Sequence, residues 1–80
     1  MKFTQYFLYI IQRSDRAKIR MEWIEETIKN PDYTEVQSDG RIRKWKKIKE
    51  AGRFLCVILL PDGETVHNVF FDRSFKGGTK

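Results

Sequence analysis

Eighty residues suffice for one domain with a small core, not for two domains. A formal net charge of +5 suits an anionic partner, whether nucleic acid, an acidic protein or an anionic surface, and says nothing about fold. The single cysteine, Cys56, excludes an internal disulfide and a cysteine metal cluster, and no apolar stretch is long enough to span a bilayer.

Residues 1 to 13 are dense in apolar groups. Phe3, Phe7, Ile10 and Ile11 form one stripe at helical spacing, and Thr4 can cap its start. This predicts a helix from Thr4 to Arg13, with a strand as the competitor. Phe7 to Ile11 is too short for the core of a signal peptide, so a soluble, cytoplasmic protein is the expectation. Ser14 and Asp15 are capping or turn residues. Either one long helix runs from Asp15 to Asn30, or a turn intervenes and a second helix begins near Arg20. In both cases Trp23, Ile24 and Ile28 belong to a helix that stops at Asn30-Pro31, with Glu22, Glu25 and Glu26 toward its positive end.

After Pro31 the period changes. Tyr33 to Gln37 and Arg41 to Ile48 read as strands around the turn Ser38-Asp39-Gly40. Lys49-Glu50-Ala51-Gly52 then leads into a hairpin from Arg53 to Arg73. Its two runs are rich in β-branched and aromatic residues and meet at Pro61-Asp62-Gly63. Tight connections predict a four-stranded antiparallel meander in sequence order. The domain is expected over residues 1–76, with a flexible tail at 77–80 and Phe75 at the start of the fraying segment.

Turn geometry suggests a register. If Leu60 pairs with Glu64 and Lys49 with Arg53, one face collects Ile42, Ile48, Phe54, Ile58, Leu60, Val66 and Phe70. This is the expected core face under the helices, although Lys44 and Lys46 fall on it as well. The other face then has Trp45, Val57 and His67 in one row, ringed by Arg41, Arg43, Lys47, Arg53, Phe71 and Arg73. Leu55, Val57, Leu59, Val69 and Phe71 also fall on that face and need a cover: a second copy, a partner segment or the tail. A slip of one residue in either hairpin exchanges the faces.

Arg41 to Lys49 contains six cations and no acid. With Trp45 among them, the strip suits phosphate binding with a ring for base stacking. The plainer alternative is a solvated strand whose lysines prevent edge pairing. His67, the sole histidine, is a candidate general acid or base for RNA cleavage, with Arg43, Arg53 or Arg73 on the phosphate. The plainer alternative is a structural ring that packs on Trp45 or bonds a backbone group. Asp72-Arg73 reads as a local ion pair or, more sharply, presents Arg73 as a phosphate ligand. Cys56 reads as an inert small hydrophobe. One histidine, one cysteine and scattered carboxylates show no metal-ligand spacing.

Three segments, Asp39-Gly40-Arg41-Ile42-Arg43-Lys44-Trp45, Gly52-Arg53-Phe54-Leu55 and Thr65-Val66-His67-Asn68-Val69-Phe70-Phe71-Asp72-Arg73, resemble a family of small bacterial domains of unknown function. Trp23-Ile24-Glu25 and Asn30-Pro31 also look like that family's second helix and its end. The family is remotely similar to RelE- and BrnT-like toxins. Those pack helices on an antiparallel sheet, cleave RNA without metal and are blocked by an antitoxin. The resemblance implies two helices broken near Ser14 to Lys18. It also implies a RelE-like ribonuclease with Arg41, Arg43, His67 and Arg73 as site candidates; joined to the reading of the basic strip, His67, Arg73 and Arg43 are the catalytic candidates, and Arg41, Trp45, Lys47 and Arg53 those for holding nucleic acid. The implied partners are RNA and an acidic antitoxin, with a homodimer as a further arrangement; no cofactor, metal or membrane is implied. Two positions depart from the family: Tyr6 and Tyr9 stand where many members have an early histidine, and Cys56 where many have arginine. A non-catalytic basic module that binds nucleic acid or an acidic protein is the alternative.

Overall fold

A computed structural model of the chain describes residues 1–13 and 16–75. Thr4 opens the first helix: its Oγ1 accepts a hydrogen bond from the Phe7 amide at 3.0 Å. This helix, α1 (Gln5–Ile10), is shorter than the apolar stripe suggests, and it buries Phe7 and Ile10. The second helix, α2 (Met21–Lys29), begins after Arg20, so a single helix from Asp15 is excluded. Ile19 turns inward ahead of α2 to join the core, which interrupts the helical period there. The capping role of Ser14 and Asp15 lies outside the described residues. Glu22 in the first turn and Lys29 in the last complement the helix dipole of α2.

The remaining strands are β2 (Tyr33–Val36), β3 (Ile42–Ile48), β4 (Arg53–Leu59) and β5 (Thr65–Phe71). They form the expected antiparallel meander, and a fifth strand joins it. Lys2–Phe3, here β1, lies parallel to β5, giving the order β1-β5-β4-β3-β2. The Thr4 amide extends this pairing to the Val66 carbonyl at 3.0 Å. The class is therefore α+β, but the sheet is five-stranded and mixed. A two-residue strand is too short to show a period in sequence; it exists because β5 offers an open edge beside the start of α1.

The face assignment needs correction. β3 and β4 pair Ile48 with Arg53, not Lys49 with Arg53, and Trp45 with Cys56. The intervening turn holds four residues, with the Gly52 amide on the Ile48 carbonyl at 2.8 Å and Gly52 at φ +67°. This one-residue slip sends β4 over: Leu55, Val57 and Leu59 face the helices, while Phe54, Cys56 and Ile58 face away. A bulge on β5 does the rest. Ile58 pairs with Asn68 and Leu59 with Val66, which leaves His67 as the extra residue. Val66 and Val69 both reach the core because the bulge resets the alternation between them. Phe71 packs there too, and Phe70 does not.

The main core thus joins Phe7, Ile19 and Ile24 to Ile48, Leu55, Val57, Leu59, Val66 and Val69. The apolar set expected to need an outside cover lies under the chain's own helices. Lys44 and Lys46, which face α2, are accounted for by its C-terminus. Lys44 Nζ donates to the Ile28 carbonyl and Lys46 Nζ to the Asn30 carbonyl, each at 3.0 Å. Those carbonyls have no partner within the helix, so two ammonium groups satisfy them and complement the dipole.

Candidate nucleic-acid interface

The sheet face turned away from the helices carries its own apolar cluster. Trp45, Cys56 and Ile58 are buried there, with Phe54, Phe70 and Phe75 packed around them. β4 is therefore covered on both faces, which explains its unbroken apolar run. Phe75 is the cover. Its ring stacks on Trp45 with centroids 4.5 Å apart and meets Tyr33 and Phe54 edge-on. Trp45 is left 5% exposed, and its Nε1 donates to Asp72 Oδ2 at 3.1 Å. Trp45 therefore does not present a face for base stacking; the exposed ring on this side is Tyr33.

Strand alternation places Arg41, Arg43 and Lys47 on the same outer face of β3, about 6.6 Å apart per two-residue step. Each is partnered differently. Arg41 lies 3.7 Å from Asp39. With the Gln37 amide turned so that its oxygen faces the guanidinium, Arg43 donates to it from Nη2 and Nε at 3.0 and 2.8 Å. Lys47 Nζ sits over the Phe54 ring, 5.5 Å from its centroid.

Three separate depressions lie along this end of the sheet and share wall residues. The first is walled by Tyr33, Glu35, Arg43 and Asp72; the second by Lys47, Arg53, Phe54 and Arg73. The third is lined by Arg16, Arg53, Phe70, Phe71 and Arg73. Phe75 and Asp72 border the first two, and Arg53 and Arg73 border the last two. Arg53 lies over the Phe71 ring at 5.7 Å, and Arg16 Nε donates to the Val69 carbonyl at 3.0 Å. Asp72 is engaged elsewhere. Desolvation raises its pKa, but hydrogen bonds from Ser74 and Trp45 outweigh this and hold the carboxyl below its usual range. Among the described residues no ion pair joins Asp72 to Arg73.

His67 belongs to a different place. Its Nδ1 shares a 3.2 Å hydrogen bond with Thr4 Oγ1, and its ring stacks on Tyr6 at 5.0 Å. Burial and then the charge of Arg41 push its pKa below the usual histidine value. The bulge that exposes His67 also locks it to the N-cap of α1. His67 and Arg73 stand six residues apart along β5 and its extension, roughly 20 Å at the usual rise. The expected row of Trp45, Val57 and His67 does not exist: Trp45 aligns with Cys56 and Phe70, and Val57 faces the core.

The sequence candidates therefore divide. Arg43 lines one depression and Lys47, Arg53 and Arg73 line the next; His67 sits apart, at Thr4 and Tyr6, with Arg41 as its nearby charge; Trp45 is structural. Two participants were not singled out in sequence. Arg16 reaches these depressions only through the turn before α2, and Phe75 looks like tail. An aromatic followed by a polar, glycine-rich segment was the one hint that Phe75 anchors something. Comparison of the chain with models of protein families, with curated proteins and with solved structures finds no match, so the functional reading rests on these depressions.

Proposed function

We propose that this chain binds single-stranded RNA through neighbouring depressions lined by Arg43, Lys47, Arg53 and Arg73. The observation that carries the reading is that each of these depressions has at least one of these cations in its wall and that they share Asp72, Phe75, Arg53 and Arg73 as borders. Of their two carboxylates, Glu35 and Asp72, the second is already bound by Trp45 and Ser74. Cations in the walls of neighbouring depressions can hold a phosphate backbone without reading sequence, and Tyr33 offers an exposed ring beside Arg43. Each phosphate neutralised on a single strand contributes about −0.7 to the slope of log affinity against log salt. Four such contacts give a slope of roughly −3. Fluorescence anisotropy of a labelled oligouridine between about 50 and 200 mM salt measures it. Lys47→Ala should flatten the slope by about one contact. Binding that ignores ionic strength refutes the reading. Capture of an acidic protein without any RNA binding would replace it with the acidic-partner alternative.

A second reading is catalytic, and the surroundings of His67 favour it. Burial and Arg41 keep the imidazole unprotonated at neutral pH, the state a general base needs. Metal-independent RNA cleavage by a RelE-like toxin, restrained by an acidic antitoxin, would then use His67 with Arg41 beside it and Arg43 one step along β3. Arg73 would serve binding instead of chemistry. His67→Gln should abolish cleavage of total RNA with affinity nearly kept. Equal cleavage by both proteins removes His67 from the reaction.

A further inference from the structure

One of the three depressions is a cleft lined by Arg16, Arg53, Phe70, Phe71 and Arg73. The cleft lies on the outer edge of β5. β1 pairs only with Thr65 and Val66, so the lower part of that edge is left to the segment carrying Arg16. Arg16 is fixed there by its bond to the Val69 carbonyl, and Trp23 of α2 packs edge-on against Phe71 behind it. Arg53 is steadied over the same ring. Among the described residues, neither Arg53 nor Arg73 has a carboxylate within ion-pair distance, and the cleft has no acid in its lining.

We propose that this cleft binds a phosphomonoester, and that on RNA, resting on the reading above, it holds the phosphorylated end of the strand. A monoester carries a charge of about −1.5 to −2 at neutral pH against −1 for an internal diester. It presents three terminal oxygens, and guanidinium forks match such oxygens with paired hydrogen bonds. Arg53 and Arg73, two guanidiniums in the wall of one cleft and without a carboxylate within ion-pair distance, therefore suit a doubly charged terminal phosphate better than a passing diester. Phe71, under Arg53, gives the cleft an apolar wall for the adjoining sugar or base.

The test uses the full chain and one oligouridine in three forms: with 5′-phosphate, with 3′-phosphate, and with hydroxyls at both ends. One phosphorylated form should bind at least about tenfold tighter than the hydroxyl form, the effect of one added charge-assisted hydrogen bond. Arg73→Ala and Arg53→Ala should bring that ratio to about one. Arg73→Lys, which keeps the charge and loses the fork, should retain part of it. Lys47→Ala should weaken all three forms while preserving the ratio. Uridine 5′-monophosphate and uridine, titrated separately, should differ in the same way, with the side-chain NMR signals of Arg53 and Arg73 moving only for the phosphate. Equal affinity for all three oligomers, or a ratio that survives both alanine variants, overturns the site. Failure of every oligomer to bind, with the monophosphate still moving Arg53 and Arg73, keeps the site and removes the RNA reading.

Discussion

Replacing Phe75 by alanine should open the outer face of the sheet. Truncating a fully buried phenylalanine costs about 3–5 kcal/mol. Phe75 is half-buried, so its packing should account for about 2 kcal/mol, of which its stack on Trp45 supplies ~1 kcal/mol. A domain of this length has about 4–12 kcal/mol in total, so the loss is measurable without unfolding the chain. With a urea slope of about 1 kcal/mol per molar, the midpoint should fall by about 2 M. The second tryptophan, Trp23, obscures the signal, and the comparison is best made in a Trp23→Phe background. There, native Trp45 emission should shift to the red and its quenching by acrylamide should rise, because the Phe75 ring no longer covers the indole. Phe75→Leu should recover most of the stability but not the stacking component. A midpoint change below about 0.5 M with unchanged quenching would show that Phe75 does not hold this face closed.

Two further outcomes follow from titrating groups. His67 has a folded pKa below its unfolded value near 6.5, so the unfolded chain binds more protons between the two. Stability should be at its full value above that unfolded value and fall as pH drops through the folded pKa; His67→Gln should flatten this part of a urea-midpoint profile, and an unchanged profile would show that His67 does not titrate differently in the fold. Burial pushes the Cys56 thiol up to about 12, with Arg43 offsetting only part of it; the native protein should resist iodoacetamide at pH 8 and react fully in denaturant, and rapid native alkylation would contradict the burial.

The elements were largely legible. Thr4 announces its helix because a hydroxyl three residues before an amide donor is a local arrangement. Asn30-Pro31 ends α2, and the turns at Gly40, Gly52 and Gly63 all place glycine at positive φ, for equally local reasons. Gly40 also lies close to Pro61, where an added Cβ would approach Cγ to 3.2 Å, so two turns meet there. The site was legible only in its residue types. Arg43, Lys47, Arg53 and Arg73 were candidates from charge, and they line neighbouring depressions. Their grouping with Trp45 and His67 failed because it depended on register.

Sequence by itself determined that two helices precede four meander strands, where those strands turn, and that the protein carries excess positive charge; the short β1 and the end of α1 were not among these. What it determined is decided within a few residues by backbone sterics, capping and side-chain type. Register, face and cover were decided only in the tertiary structure. An alternating strand fits either face equally well, and β4, apolar at every position from Phe54 to Leu59, carries no record of which side meets the helices. The choice was made by a four-residue turn at Lys49–Gly52, by the bulge at His67, and by Lys44 and Lys46 reaching the carbonyls that end α2. These depend on contacts between residues far apart in the chain, where a shift of one position reverses every side chain beyond it.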